Sequence, residues 1–279
     1  MDLKDFILEK YLNEKLITFG GKAYPKFGQV VILAGGAGSG KGFVQKKLMG
    51  IEGITFDVDR LKELVMLSDK YASLVKQEFG ADVSKLNLKN KDDVSKLHDI
   101  VSTLKISDKK IANVFASVIS ADPTRKPNLI FDVTLKDMTK LYNLIRRVEE
   151  MGYYKKNISL VWVVNQIEVA IAQNAERSRT VSPEILMATH EGASFTMNTL
   201  LRKGEDITKF LDGDIVLAFN SVNVDTKITK SDKGGSYVEE ANYVVIKEKE
   251  KPMIKFSDIE DKIIDKIKRY VPNSYIWSK

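Results

Sequence analysis

Residues 30–42 read Val-Val-Ile-Leu-Ala-Gly-Gly-Ala-Gly-Ser-Gly-Lys-Gly, and no other stretch of the chain limits the fold so tightly. Four successive apolar residues, 30–33, suit a strand covered on both faces. Gly35, Gly36, Ala37, Gly38, Ser39 and Gly40 make a turn, and Lys41, Gly42 and Phe43 open a helix. From Gly35 to Lys41 the spacing is G-x-x-x-x-G-K. That spacing is a phosphate-binding loop: backbone N–H groups converge on an anion, and the lysine reaches the β- and γ-phosphates. The helix N-terminus adds the positive end of its dipole. The expected ligand on residues 35–43 is a nucleoside triphosphate, ATP. A glycine turn that binds nothing leaves the lysine at the helix start unexplained. One position departs from the pattern. Where a Ser or Thr hydroxyl ordinarily ligates Mg²⁺, this chain has Gly42, which in a helix costs up to ~1 kcal/mol relative to Ala.

Further strands are predicted over 53–59, 128–134, 158–164 and 214–220. Helical spacing fills 60–120 around a polar interval near 87–93, and recurs over 136–151, 166–176 and 183–202. Strands alternating with helices predict an α/β fold: a doubly wound, mainly parallel five-stranded sheet with flanking helices, of the phosphate-loop NTPase type. Residues 1–27 read as a helix (3–16) with a lead-in, and 28–222 as the phosphate-loop domain. Residues 223–279 read as a small C-terminal appendage, with a polar stretch at 225–240, a strand at 241–246 and an amphipathic helix at 257–270. In such sheets ligands bind beyond the carboxyl ends of the strands, so the residues just after each strand are the candidates for chemistry.

The second strand ends in Asp57-Val58-Asp59. Alternation points both carboxylates to one side, where they can ligate Mg²⁺ or accept a proton from a substrate hydroxyl. Asp59 is also placed to cap the helix that follows. The third strand ends in Phe131-Asp132-Val133-Thr134. Asp132 resembles the second acidic motif of phosphate-loop enzymes, which holds Mg²⁺ or its water, and without a hydroxyl at 42 its role grows. A turn or cap role is the alternative; Thr134 can cap the next helix or touch substrate, and capping is the expectation. Beyond the fourth strand, Arg177 and Arg179 can neutralise a moving phosphoryl group with forked donors, or simply sit at a helix C-terminus. Arg202 and Lys203 read as a solvated helix end. His98 and His190 form no metal cluster and read as structural or exposed. Trp162 reads as core, and Trp277 has no predicted role.

The chain has no cysteine among its 279 residues, which excludes a disulfide-linked partner, a thiolate zinc site and a cysteine nucleophile. No run approaches the ~18 apolar residues of a membrane span, and Met1-Asp2-Leu3-Lys4-Asp5 lacks a secretory pattern. The expectation is a cytoplasmic protein with no membrane partner. A net charge of +6 and a pI near 9.1 permit an anionic partner, although a lysine-rich solvated surface accounts for them as well.

Taken together, the loop, Asp57-Val58-Asp59, the segment 128–134 ending in Asp132 and Thr134, and Arg177-x-Arg179 resemble zeta-toxin-like kinases over roughly residues 28–205. The resemblance implies ATP on the loop, Asp59 acting on the substrate hydroxyl, and Arg177 and Arg179 on the transferred phosphate. Two positions depart from that family: Gly42, and Asp132 where a glutamate is frequent. The sugar-nucleotide pocket of the toxins has no counterpart that aligns here. The expected activity is ATP-dependent transfer of the γ-phosphate to a hydroxyl-bearing acceptor, small molecule or nucleic acid, with Mg²⁺ on Asp57 and Asp132. The alternatives are a polynucleotide or modified-base DNA kinase, and a nucleotide-binding module without chemistry, for which Gly42 is the best support.

Overall fold

The computed structural model describes residues 24–57, 65–66, 69–104, 113, 116, 118, 121–176, 180–220, 227–230, 236–240 and 243–279. Strand β1 (Val30–Ala34) is buried along its whole length. It leads through the glycine turn into α1 (Lys41–Phe43), which runs on as a π-helical stretch (Val44–Met49). Next come β2 (Ile54–Asp57), α2 (Asp69–Phe79) and α3 (Lys91–Thr103). Then follow β3 (Leu129–Val133), α4 (Met138–Glu150), β4 (Ile158–Asn165) and α5 (Ile167–Glu176). The long α6 (Pro183–Lys203) precedes β5 (Ile215–Asn220). Last are β6 (Lys227–Lys230), β7 (Ser236–Glu240), β8 (Tyr243–Lys247) and α7 (Asp261–Tyr270).

The main sheet has the order β2-β3-β1-β4-β5-β8. Its first five strands are parallel. The sixth, β8, is antiparallel to β5. The described sheet therefore has six strands where five were expected. Of the strand predicted at 241–246, residues 241 and 242 lie outside the described residues, and residues 243–246 belong to β8, which extends the sheet beside β5. Its Tyr-Val-Val-Ile run suits a pleated surface. Its last residue, Lys247, carries a buried ammonium that pairs with Asp212 at 2.6 Å. The polar stretch near 225–240 contains the antiparallel pair β6 and β7, where the sequence pattern marks no strand. The helix expected over 3–16 lies outside the described residues.

Alternation along β1 divides the core. Val30, Ile32 and Ala34 pack on one face of the sheet, while Val31 and Leu33 pack on the other. Trp162 is core, as predicted, and Trp277 joins it: the two indoles stack at 5.5 Å with planes 10° apart. The Trp277 Nε1–H donates to Ser194 Oγ of α6 at 2.8 Å, so the one polar atom of a fully buried ring is satisfied. Helices α2 and α3 pack on each other around Val75, Leu97 and Val101. Among the described residues no helix is long and apolar enough to cross a membrane.

Candidate nucleotide and acceptor site

The glycine loop joins β1 to α1 at the carboxyl edge of the sheet. Its backbone needs glycine at two places for different reasons. Gly38 has φ +71°, and a Cβ there would lie 2.5 Å from the Ala170 carbonyl of α5. Gly36 faces the His190 ring, whose Cδ2 would be only 2.2 Å from an added Cβ. The Lys41 ammonium donates to Gly35 O at 2.8 Å and Gly36 O at 3.1 Å. It also pairs with the Asp132 carboxylate at 3.5 Å. The cation is thus aimed into the loop and towards the end of β3. Gly42 stands in open space: a Cβ on it would meet nothing within 4 Å.

Asp57 and Asp132 occupy paired register positions on the adjacent parallel strands β2 and β3. Partners in such a register project to the same side of the sheet, so the two carboxylates lie side by side, and Asp132 pairs with Lys41. Both line a cleft of about 900 Å³. Asp132 lies in the strand and pairs with Lys41, rather than acting as the turn or cap residue considered as its alternative. The helix after β3 is capped by Asp137, whose side chain accepts from the Lys140 N–H at 2.8 Å. Thr134 lines the cleft, which corrects the capping role expected of it. Capping by Asp137 places the helix start beyond Leu135, a non-glycine residue held at φ +57°. A left-handed leucine carries about 1–3 kcal/mol of backbone strain. Here its side chain is buried in the core.

The cleft has two helical walls. Val94, Ser95, His98 and Asp99 of α3 form one. The other is the turn after β3 with α4, and it supplies Lys136, Lys140, Asn143 and Arg147. Residues 136–150 contain seven charged side chains: Lys136, Asp137, Lys140, Arg146, Arg147, Glu149 and Glu150. Those that line the cleft, Lys136, Lys140 and Arg147, are all cations. Lys140 and Arg147 are seven residues apart on α4, two helical turns, which keeps them on one face, and Lys136 lies in the turn just before the helix. Lys136 packs close to α6: a Cβ at Gly192 would lie 3.1 Å from the Lys136 Cβ. Asp57 and Asp132 lie at the strand ends, so the acids of the floor and the cations of the α4 wall are segregated.

The loop is gripped from α6. Thr189 and His190 are both buried, at 6% exposure each. The Ala37 N–H donates to Thr189 Oγ1 at 3.0 Å. That hydroxyl in turn donates to Leu186 O at 2.7 Å. His190 Nε2 lies 2.8 Å from Ala37 O. A carbonyl only accepts, so this nitrogen carries the proton. Burial holds the imidazole below its ordinary pKa, and the nearby Lys41 cation adds to this, against the pull of the Ala37 carbonyl. Asn165, at the end of β4, donates from Nδ2 to Gly38 O at 3.0 Å. None of Asn165, Thr189 and His190 was singled out for the loop from the sequence. His190 was expected to be structural or exposed; it is buried against the loop. Of the predicted catalytic residues, Asp59, Arg177 and Arg179 lie outside the described residues, whereas Lys41 is at the centre of the site.

No family model matches the sequence, and no curated protein matches it either. Among solved structures, the chain is similar to one from the PezAT chromosomal toxin–antitoxin system of Streptococcus pneumoniae. Identity is 17%, 77% of this chain and 75% of that chain are covered, and the TM-score is 0.43. It is also similar to AvrRxo1-ORF1:-ORF2 crystallised with ATP, at 13% identity and TM-score 0.41, covering 99% of this chain and 82% of that one. At these values the likeness is one of outline.

Proposed function

We propose that this chain is a kinase that transfers the γ-phosphate of ATP to a hydroxyl of an acceptor bound in the cleft. The observation that carries the reading is the cluster at the carboxyl edge: Lys41 inside the phosphate loop, 3.5 Å from Asp132, with Asp57 beside Asp132 in register. A triphosphate on the loop has its β- and γ-phosphates next to Lys41. Two neighbouring carboxylates are a hard-oxygen donor set of the kind that Mg²⁺ takes together with phosphate oxygens. Asp57 and Asp132 would hold that ion, which neutralises charge on the β- and γ-phosphates when bound. Gly42 contributes no ligand, so the donors of the protein come from the strand ends.

In the transfer, the acceptor oxygen forms a bond to the γ-phosphorus as the bond to the ADP oxygen breaks. Asp59, two residues beyond Asp57, takes the hydroxyl proton. Arg177 and Arg179 neutralise the moving group. The α4 wall indicates the acceptor's chemistry. The cations Lys136, Lys140 and Arg147 along one side of the cleft suit an acceptor that carries an anionic group besides its hydroxyl. A cleft of about 900 Å³ falls in the range that encloses small molecules, which favours a small acceptor over a nucleic-acid strand.

The test is transfer from γ-labelled ATP to a panel of phosphorylated small molecules, neutral sugars and oligonucleotides. Lys41→Ala removes turnover. Asp59→Asn removes transfer yet still binds ATP, and full transfer by that variant refutes the assignment of Asp59. Transfer to oligonucleotides alone would favour the polynucleotide-kinase reading. ATP binding with no product from any acceptor, and no effect of Mg²⁺, would favour a binding module.

A further inference from the structure

We infer that Thr189 and His190 of α6 are positioning residues that set the phosphate loop in its nucleotide-binding shape, an inference that rests on the loop being a nucleotide site. They are neighbours on one helix, and they hold the two faces of a single residue. Thr189 Oγ1 accepts from the Ala37 N–H at 3.0 Å, and the Nε2–H of His190 donates to Ala37 O at 2.8 Å. Successive peptide planes of the loop are therefore pinned to the same element.

The consequence follows from peptide geometry. In a trans peptide the C=O of one residue and the N–H of the next point in opposite directions. His190 draws the Ala37 carbonyl towards α6, so it turns the Gly38 N–H away from α6, into the space that the phosphates take. Thr189 takes the Ala37 N–H out of that space. The pair thereby selects which amides of the loop face the anion. Asn165 continues the pattern one residue on, by holding the Gly38 carbonyl at 3.0 Å.

Three further features fit a grip built for shape. Gly36 leaves room for the His190 ring, which lies where a Cβ would be. Thr189 is itself oriented, because its hydroxyl donates to Leu186 O and so presents a lone pair to the loop. Both side chains are nearly inaccessible to water, where a hydrogen bond is stronger and an unmade one costs more. Thr189 also borders the cleft, but the hydrogen bonds of both side chains are to backbone atoms, so they act on the loop through its peptide groups.

The experiment uses the full chain and measures ATP affinity by titration calorimetry, with thermal unfolding alongside. Thr189→Val and His190→Phe keep approximate volume and remove the hydrogen bond. Thr189→Ser and His190→Gln keep a hydroxyl acceptor and an N–H donor. We expect each deletion to weaken ATP binding about 3- to 10-fold, the scale of one neutral hydrogen bond, and each conservative variant to restore it to within about twofold. Gly36→Ala approaches the same contact from the other side, by pushing the ring away, and is expected to weaken ATP binding in the parent. In a His190→Ala background it should add little. Parent-like ATP affinity in both deletion variants, with binding still abolished by Lys41→Ala, overturns the grip alone. Equal losses in the deletion and the conservative variants, tracking the loss of melting temperature, overturn it as well. A parent chain that binds no ATP overturns the loop reading itself, and with it the inference.

Discussion

The two halves of α6 hold two different things, and they hold them differently. Its first half grips the glycine loop through Thr189 and His190, with short polar contacts to one residue, Ala37. Its second half seals the C-terminal segment. Ser194 accepts from Trp277, Asn198 donates to Ile276 O at 3.1 Å, and the Arg202 guanidinium lies 4.1 Å from the centre of the Phe256 ring. Asn273 joins the halves by donating to Glu191 O at 3.1 Å. At the loop end, neutral hydrogen bonds net about 0.5–1.5 kcal/mol each, so they shape the backbone while adding little to the stability of the fold. At the seal, a fully buried indole stacked on Trp162 contributes packing on a larger scale. One helix thus serves as a template at one end and as a wall of the core at the other. Arg202, expected at a solvated helix end, belongs to the second task.

The largest effect should come from breaking the seal. Trp277→Ala leaves a cavity against Trp162 and strands the Ser194 hydroxyl. Large-to-small changes of this kind cost about 3–5 kcal/mol. The expected result is a large fall in unfolding free energy by denaturant titration, with ATP affinity close to the parent's when measured well below the melting transition. If Trp277→Ala and His190→Phe instead lose stability and ATP affinity in the same proportion, the two halves of α6 do not divide their work.

Much of the first half's partner was legible in the sequence, and little of the first half itself. The loop is local: strand, glycine turn, lysine and helix lie within thirteen consecutive residues, 30–42. Asp57 and Asp132 were each readable as strand-end acids. That they are register neighbours depends on β3 lying between β2 and β1, which is a matter of strand order and leaves no local trace. Thr189 and His190 meet the loop across more than 150 residues. Their only sequence signal is indirect, a second glycine at position 36 where the spacing requires none. Trp277 gave no signal, because a lone tryptophan after an amphipathic helix fits a surface or a core equally well. β8 was readable as a strand from its β-branched run, but its pairing with β5 was not. The α4 cations stand at helical spacing in the sequence, and only the cleft shows which side of the helix they serve.

A moderate effect should appear with pH, at the loop end. Burial depresses the His190 pKa in the fold, while in the unfolded chain the imidazole titrates near 6.5. Below that value the unfolded chain takes up a proton that the folded chain resists, so stability is fully present above about pH 7 and falls as the pH drops towards the depressed folded value. The slope has an upper limit of about 1.4 kcal/mol per pH unit for one proton. The measurement is a difference, so that other titrating groups cancel: unfolding free energy of the parent minus that of His190→Gln, from pH 7.5 to 5. The expected difference shrinks as the pH falls. A difference independent of pH would mean that His190 is protonated with equal ease in both states. Trp277→Ala, tested in the same way, should retain the full pH slope, because the seal contains no histidine.

The smallest effect sharpens the loop end without touching α6. Gly42→Ser introduces a side chain where a Cβ meets nothing within 4 Å, so no repacking opposes it. Serine is a better helix former than glycine by about 0.5 kcal/mol, and a slight gain in stability is expected. The more telling readout is the Mg²⁺ concentration that gives half-maximal phosphoryl transfer. A hydroxyl at position 42 stands where phosphate-loop enzymes place a metal ligand, and it should lower that concentration while leaving the ATP affinity measured without Mg²⁺ nearly unchanged, because Ala37 and its two tethers are undisturbed. If the Mg²⁺ requirement does not move, the paired carboxylates of Asp57 and Asp132 complete the protein's share of the ion's coordination by themselves. The glycine then belongs to the architecture of the loop, and the metal to the strand ends.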